Sequence, residues 1–342
     1  MRAPLIGGLV VAVLLRSAGV ASAQDAASLT DARLIQRVQT AIDRGLEYMA
    51  RKQHPDGDWF SNDAVNALAL LAYMGQGQAP GRGPYRDVLE RGKRVLLANQ
   101  RADGFIGGVS MYVHALSTLA LAEMYGMDYD PRVEPALRKA VDLIVRAQSP
   151  SGGWRYNPQP GDQDMSVTVM QIVALRAANN AEIPVPTATI DKALAYVRSC
   201  AVKSGGFSYQ AGGGPSPQLA GAGTLSLQLL GQYNDPAIPP AMAYLSQIPV
   251  TWGGGPVSIF YYFHYYAIQA QYQAGGKYWA DWHPRVRELL LSKQNEDGSW
   301  DVPPGMSHEG NAGLTGPDKI YSTAMACLVL EIYNHFLPAY QR

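Results

Sequence analysis

Six variants of one short phrase divide this chain: "KQHPDGDW" (Lys52–Trp59), "NQRADGF" (Asn99–Phe105), "AQSPSGGW" (Ala147–Trp154), "CAVKSGGF" (Cys200–Phe207), "SQIPVTW" (Ser246–Trp252) and "KQNEDGSW" (Lys293–Trp300). Anchored on Gln53, Gln100, Gln148, Ala201, Gln247 and Gln294, they are spaced by 47, 48, 53, 46 and 47 residues. A period near fifty residues marks a repeat array. Each unit is one supersecondary structure that cannot bury its hydrophobic face without its neighbours.

Each period holds two helix patterns. One runs into the anchor: Leu34–Gln53, Tyr85–Gln100, Val133–Gln148, Ala188–Ala201, Ile238–Gln247 and Trp282–Gln294. These segments carry charge on one side and Leu, Val or Ala at i, i+3, i+4 on the other, which predicts half-buried helices. The second pattern follows the turn: Asp63–Met74, Ser110–Tyr125, Asp164–Asn180, Gln218–Tyr233, Val257–Gln273 and Asp318–Phe336. These are nearly uncharged, and a helix apolar on almost every side is buried on almost every side. Six inner and six outer helices predict an all-α fold, an (α/α)6 toroid occupying residues 27–342 as one domain. An open solenoid needs polar capping repeats, and neither end shows one.

The repeated phrase reads as a structural staple built from Gln53 and Trp59, Gln148 and Trp154, and Gln294 and Trp300. Gln bonds the carbonyls exposed at its own helix end. Gly allows the left-handed turn that stops the helix. The aromatic covers the neighbouring repeat's apolar edge. These turns are expected on one rim, with chemistry-bearing positions at the other end of the barrel.

Composition excludes several partners. The 342 residues carry 28 basic and 28 acidic side chains, a formal net charge of zero, and no long run of one sign. That is not the electrostatic footprint of a nucleic-acid or anionic-membrane protein. At the N-terminus, Arg2, the apolar run Leu5–Leu15 and the small residues Ala21–Ala23 read as a signal peptide over residues 1–23. The protein is therefore expected to be secreted or periplasmic, with no transmembrane span after cleavage. Cys200 and Cys327 read as two buried thiols rather than a bridge.

Q-x-x-x-G-x-W at outer-helix ends resembles the repeat of squalene-hopene cyclases and of protein prenyltransferase β subunits, the terpenoid cyclase/protein prenyltransferase toroids. The matches are Gln53/Gly57/Trp59, Gln294/Gly298/Trp300 and, with one glycine shifted, Gln148/Gly153/Trp154. The resemblance implies the toroid, with chemistry at one mouth, near the inner-helix N-termini. It does not fix an activity.

Two segments resemble family motifs incompletely. "GDQDMSVTVMQIVAL" is similar to the Asp-x-Asp-Asp-Thr-Ala motif with which class II terpene cyclases protonate an alkene. Asp162 and Asp164 match the first two acids and Ser166 the Thr, while Met165 stands where the last Asp belongs. The resemblance makes Asp164 the proton donor and Asp162 its neighbour. The plainer reading is a helix cap. "DKIYSTAMACLVLEIY" resembles the prenyltransferase segment in which Tyr-His supplies a zinc ligand, but Ser322 follows Tyr321. The preceding inner helix lacks the Asp-x-Cys pair. No metal and no cofactor are expected, and a zinc prenyltransferase is disfavoured.

"YYFHYY" (Tyr261–Tyr266) is the other unusual stretch. Tyr261, Tyr262, His264 and Tyr265, with Tyr112 and His114 of the second inner helix and Tyr321 of the last, are candidate ligand-binding residues of an aromatic pocket. The alternative is a packed core. Gly/Pro-rich insertions at Ser208–Gln218 and Asp301–Lys319 read as lids or contact loops; His308 and Glu309 in the second are assigned no metal. Two functions stay open. One is a non-catalytic or unassigned toroid binding an apolar small molecule or a protein subunit. The other is a squalene-type cyclase, an isomerase with Asp164 as general acid, completed by a partner domain.

Overall fold

Charged and uncharged segments alternate along the sequence, and this alternation becomes two concentric layers. The computed structural model describes residues 17–108, 110–306 and 318–333. The outer helices are α1 (Ser17–Lys52), α3 (Arg86–Ala98), α5 (Val133–Ala147), α7 (Thr187–Ser199), α9 (Ile238–Ser246) and α11 (Gly276–Leu291). The inner helices are α2 (Asp63–Gly75), α4 (Met111–Met127), α6 (Met165–Asn180), α8 (Pro217–Leu229), α10 (Phe260–Ala274) and α12 (Ile320–Leu330). No β-strand forms among the described residues. Every residue of α2 and of α12 is buried. In α5 burial is confined to one stripe that includes Val133, Ala136, Leu137, Ala140, Val141 and Ile144, the helical period of a half-buried element.

The inner helices pack in sequence order, α2 on α4, α4 on α6, and so on to α12, which packs back on α2. The ring is closed. At the seam the first outer helix, α1, lies against α11 and α12. Helix α1 starts at Ser17, well before the expected Leu34, and runs through Ala21–Ala23 without a break. That segment is rich in Ala, the best helix former, and has no Pro. No helix among the described residues is long and apolar enough to cross a membrane. Cys200 and Cys327 are free and buried.

The staple works differently from expectation. The Trp indoles, not the Gln amides, cap the outer-helix ends. Trp59 Nε1 donates to Met49 O (2.7 Å), Trp154 Nε1 to Ile144 O (2.7 Å) and Trp300 Nε1 to Leu290 O (2.8 Å). The amides of Gln53, Gln100, Gln148 and Gln294 each donate to the glycine carbonyl of their own turn and to the next outer helix. Gln53 reaches Val88 O (2.9 Å), Gln100 reaches Ala136 O (2.8 Å) and Gln148 reaches Thr189 O (2.9 Å). Gln294 crosses the seam to Ala41 O of α1 (2.7 Å). The equivalent glycine of the third turn is Gly152, whose carbonyl accepts from Gln148, rather than the Gly153 of the sequence match.

Glycine is required in these turns twice over. Gly57 has φ +105° and Gly298 φ +96°, and a Cβ on either would strike a backbone carbonyl of the next outer helix, Arg91 O or Arg44 O. The turn thus lies flat on its neighbour. Gln294→Ala is expected to cost about 1–2 kcal/mol by leaving the Ala41 and Gly298 carbonyls short of a donor. Gln247→Ala should be near neutral, since among the described residues the Gln247 side chain bonds only Ala243 O of its own helix (3.3 Å). Paired urea melts compare them, and equal losses would refute the seam role.

The turns and the inner-helix N-termini share one end of the barrel, contrary to the expectation of opposite rims. The turn leads directly into the inner helix and is bonded to its first turns: Trp154 N donates to Thr168 Oγ1 (3.0 Å) and Trp300 N to Thr323 Oγ1 (3.2 Å).

Candidate functional site

The first turns of all six inner helices converge on a cavity of about 680 Å³. Helix α2 contributes Ala64 and Leu68; α4, Tyr112, Val113 and Leu116; α6, Ser166 and Met170; α8, Gln218 and Leu219. Helix α10 contributes Tyr262, Tyr265 and Tyr266, and α12 contributes Tyr321 and Met325. Loop residues Tyr156, Tyr209, Ser110, Ser216 and Ser258 complete the rim. The lining has seven tyrosines and no charged side chain among the described residues. Its polar groups are hydroxyls and the amides of Asn62 and Gln218.

Of the seven residues read as ligand-binding, Tyr112, Tyr262, Tyr265 and Tyr321 line this space. The other three do not. His114 is fully buried and faces outward, with Nε2 3.1 Å from Ala140 O of α5 and Nδ1 accepting from Ile106 N (3.2 Å). Burial pushes its imidazole down to about 4. His264 is packed between Phe260 (4.4 Å between centroids) and Trp282 of α11 (5.9 Å). Burial lowers it to about 3. Tyr261 is buried and donates its hydroxyl to Asp301 O (2.7 Å). The reason is helical geometry: residues two apart point to opposite sides, so Tyr112 and Tyr262 face inward while His114 and His264 face outward.

Asp164 stands behind the cavity wall. It is the N-cap of α6 and is fully buried. Its Oδ1 accepts from Val167 N (2.9 Å) and from Ser166 Oγ (2.5 Å), and Oδ2 lies 3.3 Å from Arg155 Nη1. Ser166 Oγ in turn accepts from Tyr112 Oη. A hydrogen-bonded chain therefore runs from the buried carboxylate through Ser166 to Tyr112 at the cavity surface. Asp162 is outside it: its side chain is 61% exposed, 3.5 Å from Arg155 Nε, and accepts from Gln210 Nε2 (3.1 Å). Burial pushes the Tyr112 phenol well above its ordinary value, and the Asp164 charge acts in the same direction. Tyr262 and Tyr266 are raised by burial too, so the three phenols stay protonated.

Arg155, Tyr156 and Tyr209 were not singled out from sequence, and Tyr266 belongs to the "YYFHYY" stretch but not to the candidate ligand-binding set. Tyr156 and Tyr209 share one hydroxyl–hydroxyl bond (2.7 Å) at the mouth, each residue 39% exposed. The Arg155 guanidinium sits 4.9 Å and 5.6 Å from their ring centroids. Both tyrosines occupy the same offset, two residues after a staple aromatic (Trp154, Phe207). Tyr156 O accepts from Met111 N and Tyr209 O from Met165 N, each 2.8 Å, so each strap caps the preceding inner helix. Through Tyr209, Ser216 and Gln218 the Ser208–Gln218 insertion borders the mouth. His308 and Glu309 lie outside the described residues. One trio, His54, Asp56 and Asp58, brings ligand-type atoms within 4.8 Å of one another on the exposed first turn; none of the three lines the cavity.

No protein-family model matches the chain. It is 31% identical over 139 residues to lanosterol synthase of Aspergillus fumigatus, covering 34% of this chain and 17% of that enzyme. It is 30% identical over 129 residues to drimenyl diphosphate synthase of Streptantibioticus cattleyicolor, covering 35% of this chain and 24% of that one. The matched stretches thus span a quarter or less of these curated relatives. Type II terpene cyclase MstE from Scytonema, in complex with geranylgeranyl dihydroxybenzoate, superposes with a TM-score of 0.61 at 13% identity, over 90% of this chain and 99% of that one. The chain has the terpenoid-cyclase α/α toroid fold. Cellobiose 2-epimerase from Spirochaeta thermophila also shares the toroid, with a TM-score of 0.67 at 15% identity over 88% and 97% of the two chains. The terpenoid-cyclase toroid of this chain is therefore a scaffold common to unlike reactions, and the site must decide between them.

Proposed function

We propose that this chain is an exported toroid that holds a neutral, apolar, isoprenoid-like molecule in its central cavity and does not transform it. The observation that carries the proposal is the lining: aromatic and aliphatic walls, hydroxyls and amides, and no acid, base or cation on the described surface. An acid catalyst must present its proton to the substrate. Here the carboxyl of Asp164 does not line the cavity, and its Oδ1 is taken up by Ser166 and Val167 N–H. A diphosphate would need Lys or Arg to meet it. Sugar epimerisation would need a base within reach of a carbon-bound proton. A concave apolar pocket with a few placed polar groups suits a single small ligand. Export rests on the signal-like segment at residues 1–23.

A cyclase remains the second reading, because the Tyr112–Ser166–Asp164 chain connects a carboxyl to the cavity. One panel separates the two. Native mass spectrometry of protein from its own organism should find a neutral lipid retained, and Tyr262→Ala should weaken its binding about tenfold. Tyr262 borders open space on one side, so the same change should cost less than the about 3–5 kcal/mol of a core aromatic truncation. A melting temperature lowered by a full core loss, with no ligand retained, would overturn the pocket. Turnover of a polyisoprene by purified protein, abolished by Asp164→Asn, would replace binding with cyclisation.

A further inference from the structure

We infer that the ligand is an alcohol, and that the phenol oxygen of Tyr112 accepts its hydroxyl proton. This rests on the binding function proposed above and adds the chemical class of the ligand's polar end. The direction of the hydrogen bonds beside the cavity carries the inference.

A carboxylate can only accept. Around Asp164 every close partner is a donor: Val167 N–H at 2.9 Å, the Ser166 hydroxyl at 2.5 Å and the Arg155 guanidinium at 3.3 Å. Oδ1 receives two of them, the Ser166 hydroxyl and Val167 N–H, so this oxygen is the acceptor end of the chain. Ser166 has one hydroxyl proton and spends it on Asp164. Toward Tyr112 it has only lone pairs, and the Tyr112 hydroxyl donates to it. Tyr112 has then used its one proton in the wall. What remains on its oxygen is acceptor capacity, and Tyr112 lines the cavity.

The arrangement is one-way. A ligand hydroxyl at this position donates to Tyr112 and extends the chain to the buried negative charge, which strengthens each link. A carbonyl or ether oxygen would set lone pair against lone pair and leave two buried acceptors unpaired, which sites of this kind reject. Tyr112 is thus a specificity-determining residue. Ser166 and Asp164 are positioning residues that hold its proton away from the ligand.

The test uses two probes of the same carbon skeleton, geranylgeraniol and geranylgeranial, competing for the full chain. Bound fractions are read by native mass spectrometry. The expected result is a preference for the alcohol of tenfold or more. Tyr112→Phe should bring the ratio close to one while the aldehyde still binds. Ser166→Ala leaves the Tyr112 proton without its wall acceptor, free to turn inward, and should shift the ratio toward the aldehyde. Equal binding of the two probes to the unaltered protein, or preference for the aldehyde, would overturn the inference and leave the binding function standing. Failure of both probes to bind overturns the inference and the binding function together.

Discussion

Trp300→Ala is expected to lower the unfolding free energy by about 3–5 kcal/mol, the cost of truncating a large buried aromatic. Trp300 is fully buried, and its side chain makes two of the three attachments at this point. Its indole N–H caps Leu290 O of α11, its backbone N–H bonds Thr323 at the start of α12, and its ring lies against Gly45 of α1. The last contact crosses the seam between the sixth repeat and the first. Trp59 makes the same contact inside the ring, against Gly92 of α3. In a closed ring the seam is a joint like any other, so Trp300→Ala and Trp59→Ala should destabilise alike. In an open array the terminal joint frays and contributes little. Urea unfolding of the two variants distinguishes these, and a Trp300→Ala loss below about 1 kcal/mol would contradict closure. Trp300→Phe keeps most of the packing and removes one of two donors to the Leu290 carbonyl, which retains Lys293 N (3.0 Å), and should cost about 1 kcal/mol.

The fold was legible because a repeat multiplies weak signals. No single Gln-Gly-Trp turn specifies a toroid, but the same turn at a near-constant spacing, between helices of alternating polarity, leaves few other ways to bury the apolar faces. Even the degenerate fourth copy, with Ala201 at the Gln position, keeps Gly205 at φ +108° against Pro240 O of the next outer helix. What did not transfer was direction. Gln53 was read as bonding its own helix end, whereas its amide reaches Val88 in the neighbour. Sequence reveals that a donor is needed near a helix end; which donor takes that carbonyl is settled by packing.

The site was half legible for a related reason. "YYFHYY" announces an aromatic surface, but depth along a helix is not direction around it. The inward stripe is Tyr262, Tyr265 and Tyr266, spaced i, i+3, i+4, which the helical period alone could have selected over Tyr261 and His264. Tyr156 and Tyr209 come from loops that no periodicity governs. Asp164 was readable as a cap from its position before an apolar run, and the structure has it as the N-cap of α6. Its link to the cavity through Ser166 and Tyr112 depends on a contact across 54 residues, which no local pattern encodes.

The outward-facing histidines give the protein an acid sensitivity. His114 and His264 are held near pH values of about 4 and about 3, in each case by burial, against an ordinary value of 6.5. Between those values the unfolded chain binds a proton at each histidine and the folded chain does not. Stability is therefore fully present above about 6.5 and falls as the pH drops toward the folded values, by about 1.4 kcal/mol per pH unit per histidine. From pH 6.5 to 4.5 the two together should remove on the order of 5 kcal/mol. Asp63 and Glu331, both raised by burial, act in the opposite sense, because their folded forms take up protons more readily. The histidine contribution is isolated by His264→Phe, which keeps an aromatic ring among Phe260, Phe263 and Trp282 and removes the titration. That variant should match or exceed the unaltered protein at pH 7, since His264 Nδ1 has no hydrogen-bond partner to lose among the described residues. Its stability should then fall more slowly with acid, gaining on the unaltered protein by about 2–3 kcal/mol by pH 4.5. Denaturant melts at several pH values measure the gap, and parallel curves for the two proteins would show that burial does not hold His264 neutral.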